Sequence, residues 1–196
     1  MESSYLTSVL KQFRYYKHLG EKAMAQLPEG KLFWQNDPES NSIAVIVNHL
    51  AGNMLSRFTD FLTSDGEKPW RNRDAEFENP FANARELMEQ WEKGWKTLFE
   101  AIEVLKEPDL ESIVYIRNEG HTVVEALNRQ LAHYAYHIGQ IVFICKMVRG
   151  TEFESLSIPR SQSSTYNQQK FSQPQSKRHF TDDMLRGNSS ETGPAN

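Results

Sequence analysis

The segment HYAYH at residues 133–137 places two histidines, His133 and His137, four residues apart in an apolar part of the chain. On an α-helix two such side chains lie on one face, about 6 Å apart along the axis, so both imidazoles can bind one metal ion. Because the chain has six histidines in 196 residues, this spacing alone is a weak indication. The same helical stripe contains Ala126, Gln130, Tyr134, Ile141 and Ile144. The two histidines are therefore expected to face the interior, either as hydrogen-bonded core residues or as metal ligands.

A metal site needs a further ligand from another helix, and the chain offers four more histidines: His18, His49, His121 and His179. The first lies near the polar end of a predicted helix and the last in a polar C-terminal segment, so both are poor candidates. His121 precedes His133 by about three helical turns and would need a loop that folds back. His49 lies within the second predicted helix, where the small residues Ala51 and Gly52 allow a neighbouring helix to approach. We therefore predict His49 as the third ligand.

Four segments with helical periodicity must position these histidines, at about residues 4–26, 42–62, 83–107 and 122–148. Two of them begin with capping-box sequences, in which Asn83 precedes Glu86 and Thr122 precedes Glu125 by three residues. Between the third and fourth segments, alternating apolar residues around Asn118-Glu119-Gly120 predict a short β-hairpin. The connection at residues 64–82 is long enough to leave the second and third helices parallel, which allows a crossover four-helix bundle.

The composition limits the class of protein. With 38% hydrophobic residues in 196, the chain can form one ordinary core, which we assign to residues 1–159. Residues 160–196 are rich in Ser, Gln and Asn without periodicity, and we predict a mostly disordered tail. The formal net charge of -4 argues against nucleic-acid binding, and no segment resembles a signal peptide or a membrane span. The single cysteine, Cys145, is predicted to be a buried, inert thiol in a cytoplasmic protein.

Two blocks of the sequence resemble the DinB/YfiT-like superfamily of metal-dependent proteins: NHLAGNMLSRFTDFLTSDGEKPWRNRD at residues 48–74 and GHTVVEALNRQLAHYAYHIGQIVFICK at residues 120–146. The resemblance covers about residues 1–158. It implies an all-α four-helix bundle of up-down-down-up topology that often pairs into homodimers. It also implies a three-histidine metal site, whose ligands match His49, His133 and His137. Relatives with known activity include bacillithiol S-transferases and mycothiol-dependent isomerases, and many members have no assigned reaction.

Three neutral histidines leave at least one coordination position for water or a substrate atom, as in catalytic metal sites. A divalent ion there lowers the pKa of bound water or of a bound thiol. We therefore predict a metal-dependent transferase or hydrolase of small molecules, with zinc or nickel as the metal and a low-molecular-weight thiol as one candidate cofactor. A metalloprotease is excluded because Tyr134 stands where H-E-x-x-H requires glutamate. Two alternatives stay open: a non-enzymatic metal-binding homodimer, and a metal-free bundle with hydrogen-bonded core histidines.

The loop DGEKPWRNRDAEF at residues 65–77 is a second candidate functional element, because it combines an aromatic residue with basic ones: Trp70, Lys68, Arg71 and Arg73. Such a loop can cover a site and hold an anionic substrate. The favoured alternative is a solvated crossover anchored by Trp70 and Phe77, in which Asp74 and Glu76 pair with the arginines. Three polar residues are candidates for hydrogen bonds to the imidazole N–H groups: Asn53, Gln130 and Gln140.

Overall fold

The computed structural model describes residues 4–186; residues 1–3 and 187–196 lie outside that range. The described part is mostly helical, with α-helices at α1 (Ser4–Met24), α2 (Ile43–Phe58), α3 (Ala84–Glu103), α4 (Val123–Arg149), α5 (Ser163–Phe171) and α6 (Asp182–Arg186). One antiparallel hairpin, formed by β1 (Ile113–Ile116) and β2 (Glu119–Thr122), immediately precedes α4. None of the described helices is both long enough and apolar enough to cross a bilayer.

Side-chain caps define where the long helices begin. The Asn83 side chain accepts a hydrogen bond from the backbone N–H of Glu86 at 3.0 Å, and Thr122 and Glu125 form a reciprocal capping box at the start of α4. Both predicted helix starts are thereby confirmed. Helix α2 ends at Phe58, four residues earlier than its periodicity indicates, because Asp60 adopts a positive φ of 49° that a right-handed helix cannot contain.

The core lies between the four long helices, with α1 packed on α4 and α3, and α2 packed on α3 and α4. Its largest fully buried side chains include Phe13 of α1, Trp95 of α3 and Tyr134 of α4. Both Phe13 and Trp95 lie 5.8 Å from Tyr134, measured between ring centroids. The Tyr134 hydroxyl donates a hydrogen bond to Asn53 Oδ1 at 2.9 Å. This buried bond fixes α2 against α4 near the predicted metal ligands.

The hairpin turn contains Arg117 and Asn118, whose φ angles of 57° and 62° are typical of a type I′ turn. The turn therefore lies slightly before the predicted Asn118-Glu119-Gly120. Asp65, in the connection between α2 and α3, accepts hydrogen bonds from the backbone N–H groups of Arg117 and Asn118 at 2.9 and 2.8 Å. The backbone N–H of Gly66 donates to the Tyr115 carbonyl at 2.8 Å. The long connection is thus bound to the hairpin.

Two short helices, α5 and α6, lie in the segment predicted to be a mostly disordered tail. Helix α6 contacts α1 through an ion pair of 2.7 Å between Asp182 and Lys11. Just before α6, the ring of Phe180 packs edge-on against Tyr15, with centroids 5.6 Å apart. The described part of the tail therefore contacts the helical core, and its last ten residues, 187–196, lie outside the described range. The division of the chain into a core at residues 1–159 and a tail at residues 160–196 stays a prediction.

Candidate metal centre

The three predicted ligands converge at one point between α2 and α4. His133 Nε2 lies 3.3 Å from His49 Nε2 and 3.1 Å from His137 Nε2. All three ligand atoms lie within 4.8 Å of one another. Two nitrogens bound to one zinc ion at about 2.05 Å with tetrahedral angles are about 3.3 Å apart. The spacing therefore fits a metal ion held by three imidazoles.

Hydrogen bonds at the other ring nitrogens orient two of these imidazoles. Glu76 Oε2 lies 2.9 Å from His49 Nδ1, and Gln140 Oε1 lies 2.7 Å from His137 Nδ1. Since both oxygens accept hydrogen bonds, the single proton of each neutral ring is on Nδ1 and the lone pair is on Nε2. If His133 Nε2 carried a hydrogen, that hydrogen could be donated to only one of the two facing lone pairs, which belong to His49 Nε2 and His137 Nε2. A metal ion would satisfy all three nitrogens.

Burial keeps two of these histidines neutral. Burial, together with the neighbouring His137 and His49, lowers the pKa of His133 to about 3. Burial also lowers the pKa of His137, although the hydrogen bond to Gln140 opposes this shift. Neutral imidazole is the form that binds metal ions. Both histidines of the HYAYH segment are thus uncharged at neutral pH, in the form that can bind a metal ion.

Glu76 comes from a 3₁₀ turn, Asp74–Phe77, in the connection between α2 and α3. Arg71 donates to both of its oxygens, from Nε to Oε1 at 2.7 Å and from Nη2 to Oε2 at 2.9 Å. Burial by itself would raise the pKa of Glu76, but the hydrogen bonds from His49 and Arg71 hold it below its ordinary value. The carboxylate is therefore ionised and keeps the His49 proton on Nδ1.

Residues of α2 hold this turn close to the histidine. The side-chain amide of Asn48 donates to the carbonyl oxygens of Ala75, Glu76 and Glu78, each at 3.3 Å. A Cβ at Gly52 would lie 2.4 Å from Glu76 Oε1, so the carboxylate can approach α2 only because this residue is glycine. The Phe77 ring stacks on His49, with centroids 4.9 Å apart.

A cavity of about 230 Å³ adjoins two of the three histidines. Its lining includes His49 and His133 together with Asn53 and Gln130. Two of the three ligands therefore border a space that a small molecule could enter. Such access distinguishes an open metal site from a closed structural one.

A family model described as "Protein of unknown function (DUF1572)" matches residues 1–162. The chain belongs to the DUF1572 family. The matched range contains the three histidines, Glu76, Gln140 and the residues that line the cavity, and it ends just before α5. Comparison with curated proteins and with solved structures found no match.

In this DUF1572 protein the other predicted site residues, Asn53, Gln130 and Gln140, differ in their hydrogen-bond partners. Gln140 contacts His137 directly. Asn53 instead accepts the hydrogen bond of Tyr134. Gln130 is buried and lines the cavity, and its Oε1 has no hydrogen-bond partner within the described residues. Of these three residues, only Gln140 is therefore hydrogen-bonded to one of the three imidazoles, and the roles of all three stay predictions.

The three residues predicted to bind substrate from the loop, Trp70, Arg71 and Arg73, also lie in different surroundings. The Arg71 side chain is 2% exposed and bound to Glu76 and Glu67. Arg73 lies over the Phe77 ring, with its guanidinium carbon 5.0 Å from the centroid, and both arginines line the cavity. Trp70 is 60% exposed and is not part of that lining.

The sequence predicts only an ion pair with the arginines for Glu76, and the contact between Glu76 and His49 is visible only in the structure. The two residues are 27 positions apart, and no local spacing connects a loop carboxylate to a helical histidine. The one available signal was Gly52, a small residue one turn after His49. From the sequence, Gly52 is predicted to make room for a neighbouring helix, whereas the structure places the Glu76 carboxylate there.

Proposed function

We propose that this DUF1572 protein is a metal-dependent enzyme that acts on a small molecule at the His49–His133–His137 site. The observation that carries the proposal is the convergence of three imidazole nitrogens within 4.8 Å of one another, beside a cavity lined by two of the same histidines. The reaction class is transfer of a group to or from a thiol, or hydrolysis. The DinB/YfiT-like resemblance supports this class through its thiol-dependent relatives.

A divalent ion bound by three neutral imidazoles acts as a Lewis acid and favours the deprotonated form of a water or thiol beside it. The chain's own residues prepare the site for that ion. Glu76 holds the proton of His49 on Nδ1 and Gln140 does the same for His137, so both rings present Nε2 lone pairs. Arg71 keeps the Glu76 carboxylate ionised and oriented. Phe77 covers one face of the His49 ring.

The proposal extends to features that the resemblance implies. Zinc and nickel are the metals we expect, because imidazole suits both, and a low-molecular-weight thiol is the expected cofactor. We also propose that α1 to α4 form an up-down-down-up bundle, that two chains pair into a homodimer and that the protein is cytoplasmic. The mutual packing of the four long helices supports the bundle. Light scattering of purified protein tests the dimer.

Metal content tests the site itself. Protein purified without an affinity tag should contain about one transition-metal ion per chain by elemental analysis. His49→Ala and His133→Ala should each remove most of it, since two remaining imidazoles bind a metal ion far more weakly than three. His121→Ala is the matched control, because that histidine lies in β2 and is not part of the cluster. Unchanged metal content in His133→Ala protein would refute the proposed site.

Turnover separates the enzyme from the non-enzymatic alternative. Metal-replete protein is assayed with paired thiols and electrophiles and with small ester and amide substrates. We expect a reaction that chelation abolishes and that zinc or nickel restores. The alternative, a homodimeric bundle in which the metal is structural, predicts that chelation lowers the melting temperature while no substrate is converted. The cavity beside His49 and His133 favours the enzyme.

A further inference from the structure

The cavity beside the histidines is lined by five arginines: Arg57, Arg71, Arg73, Arg117 and Arg129. Its remaining lining residues are His49, Asn53, Gln130 and His133, so among residues 4–186 no carboxylate borders it. The whole chain has more acidic than basic residues, 26 against 22. A cavity lined by five arginines therefore departs strongly from the average charge of this protein.

The arginines come from four separate parts of the fold. Arg57 belongs to α2, Arg71 and Arg73 to the following connection, Arg117 to the hairpin turn and Arg129 to α4. The Asp65 hydrogen bonds to the turn hold Arg117 at this position. The convergence thus depends on tertiary contacts between the connection, the hairpin and α4, and not on one basic stretch of sequence.

Carboxylates behind the lining neutralise only part of this charge. Glu67 Oε2 lies 3.0 Å from Arg57 and 3.2 Å from both Arg71 and Arg117. Glu76 pairs with Arg71. Five arginines against two glutamates leave three positive charges. Within residues 4–186, neither Arg73 nor Arg129 forms an ion pair with a carboxylate.

The two arginines without a carboxylate partner are exposed, and of the three paired ones two are buried, while the Arg117 side chain is 57% exposed. The Arg57 and Arg71 side chains are 7% and 2% exposed, while Arg73 and Arg129 are exposed. Guanidinium groups around one small cavity repel each other, and an anion among them would relieve that repulsion. The size of the cavity, about 230 Å³, suits a small molecule and not a polymer.

We propose that the substrate is a small molecule whose anionic end carries two negative charges, as a phosphate ester or a pair of carboxylates. Arg73, Arg117 and Arg129 bind this end, and the rest of the molecule extends toward His49 and His133. This inference rests on the proposed function, because it identifies the substrate class of the same site. It also assigns the arginines a role that does not require the metal, so anion binding can be measured in metal-free protein.

Calorimetric titration of chelator-treated protein with inorganic phosphate, and separately with malonate, tests the inference. Wild-type protein should bind one anion per chain. The double variant Arg73→Gln/Arg129→Gln should bind at least about tenfold more weakly, because it lacks the two unpaired guanidinium groups. The control Arg85→Gln/Lys96→Gln removes the same charge from exposed positions on α3 and should keep the wild-type affinity. Thermal unfolding followed by circular dichroism verifies that each variant folds.

Three outcomes would overturn the inference: no binding of either anion, equal binding by the Arg73→Gln/Arg129→Gln variant, or equal weakening in the control. Tighter phosphate binding would support a phosphorylated substrate, and tighter malonate binding would support a dicarboxylate. Failure of the proposed function gives a different result. In that case wild-type protein contains no stoichiometric metal, whatever the anion titrations show. If the metal is present and the anion does not bind, only the substrate class is refuted.

Discussion

Glu76 Oε2 accepts a hydrogen bond from His49 Nδ1 at 2.9 Å, although 27 residues separate the two in sequence. The same carboxylate binds the buried guanidinium of Arg71. A loop residue therefore determines the tautomer and orientation of a helical ligand. Carboxylates in this position raise the basicity of a histidine ligand, so the connection between α2 and α3 is part of the candidate metal centre.

Glu76→Gln should weaken metal binding by about 10–100-fold, because the substituted amide no longer supplies negative charge behind the imidazole. Competition with a chromophoric chelator measures the affinity. Glu67→Gln is the matched control, since Glu67 also pairs with Arg71 but does not contact a histidine. We expect this control to stay within about twofold of wild type. Equal losses in the two variants would show that Arg71, and not His49, transmits the effect.

Gly52→Ala should also weaken metal binding, although alanine ordinarily stabilises a helix by about 1 kcal/mol over glycine. The added Cβ would lie 2.4 Å from Glu76 Oε1 and would displace the carboxylate from His49. Gly139→Ala on α4 is the comparison, because a Cβ there meets no atom within 4 Å. We expect Gly139→Ala to raise the melting temperature and to leave metal affinity unchanged. Wild-type metal affinity in Gly52→Ala protein would contradict this account of Glu76.

Asp65→Ala should destabilise the protein by about 1–3 kcal/mol in urea denaturation, because the carboxylate accepts hydrogen bonds from three backbone N–H groups. These belong to Glu67, Arg117 and Asn118. Glu119→Ala, an exposed position in β2, should change the free energy of unfolding by less than about 0.5 kcal/mol. A similar loss in both variants would contradict a specific role of Asp65.

The Asp65 contribution should depend on pH in a defined direction. Burial opposes the shift, but the backbone hydrogen bonds hold the pKa of Asp65 below its ordinary value of 3.8. A carboxyl group whose pKa is lower in the folded state stabilises the protein above the unfolded-state pKa and loses that effect as the pH falls through the folded-state pKa. The difference between wild type and Asp65→Ala should therefore be constant from pH 7 to about 5 and shrink below about 4. A difference that grows on acidification would contradict this assignment.

Cys145 should not react with a disulfide reagent at pH 8 while the protein is folded. The residue is 0% exposed, and burial raises the pKa of its thiol to about 12, so the reactive thiolate is scarce and inaccessible. Ser155→Cys supplies an exposed thiol as the positive control and should label within minutes. Labelling of Cys145 should become complete in denaturant. Comparable rates for the two cysteines in native protein would show that this part of α4 opens readily.

The sequence by itself determined features that depend on neighbouring residues. The cap at Asn83 and the capping box at Thr122 require groups three positions apart, so both helix starts were predicted correctly. The hairpin requires a turn between alternating apolar residues and was also predicted correctly. The spacing of His133 and His137 likewise follows from helical geometry. Burial of Cys145 followed from the apolar run around it. His49 was predicted from its place beside a core stripe and small residues, and the structure brings it to the other two histidines.

Only the tertiary structure decided which groups surround the imidazoles. The end of α2 at Phe58, the turn that carries Glu76 and the convergence of five arginines all depend on contacts between residues distant in sequence. A side chain on a long connection can take many positions that the local sequence allows. A loop without regular secondary structure has no periodicity that determines which way each side chain points. The choice among these positions is made by buried pairs such as Arg71 with Glu76 and by the space left at Gly52. Helical periodicity thus predicted that His133 and His137 share one face, and the place of His49 beside a core stripe predicted that it joins them. Packing of the connection determined what supports the three histidines and which charges line the cavity.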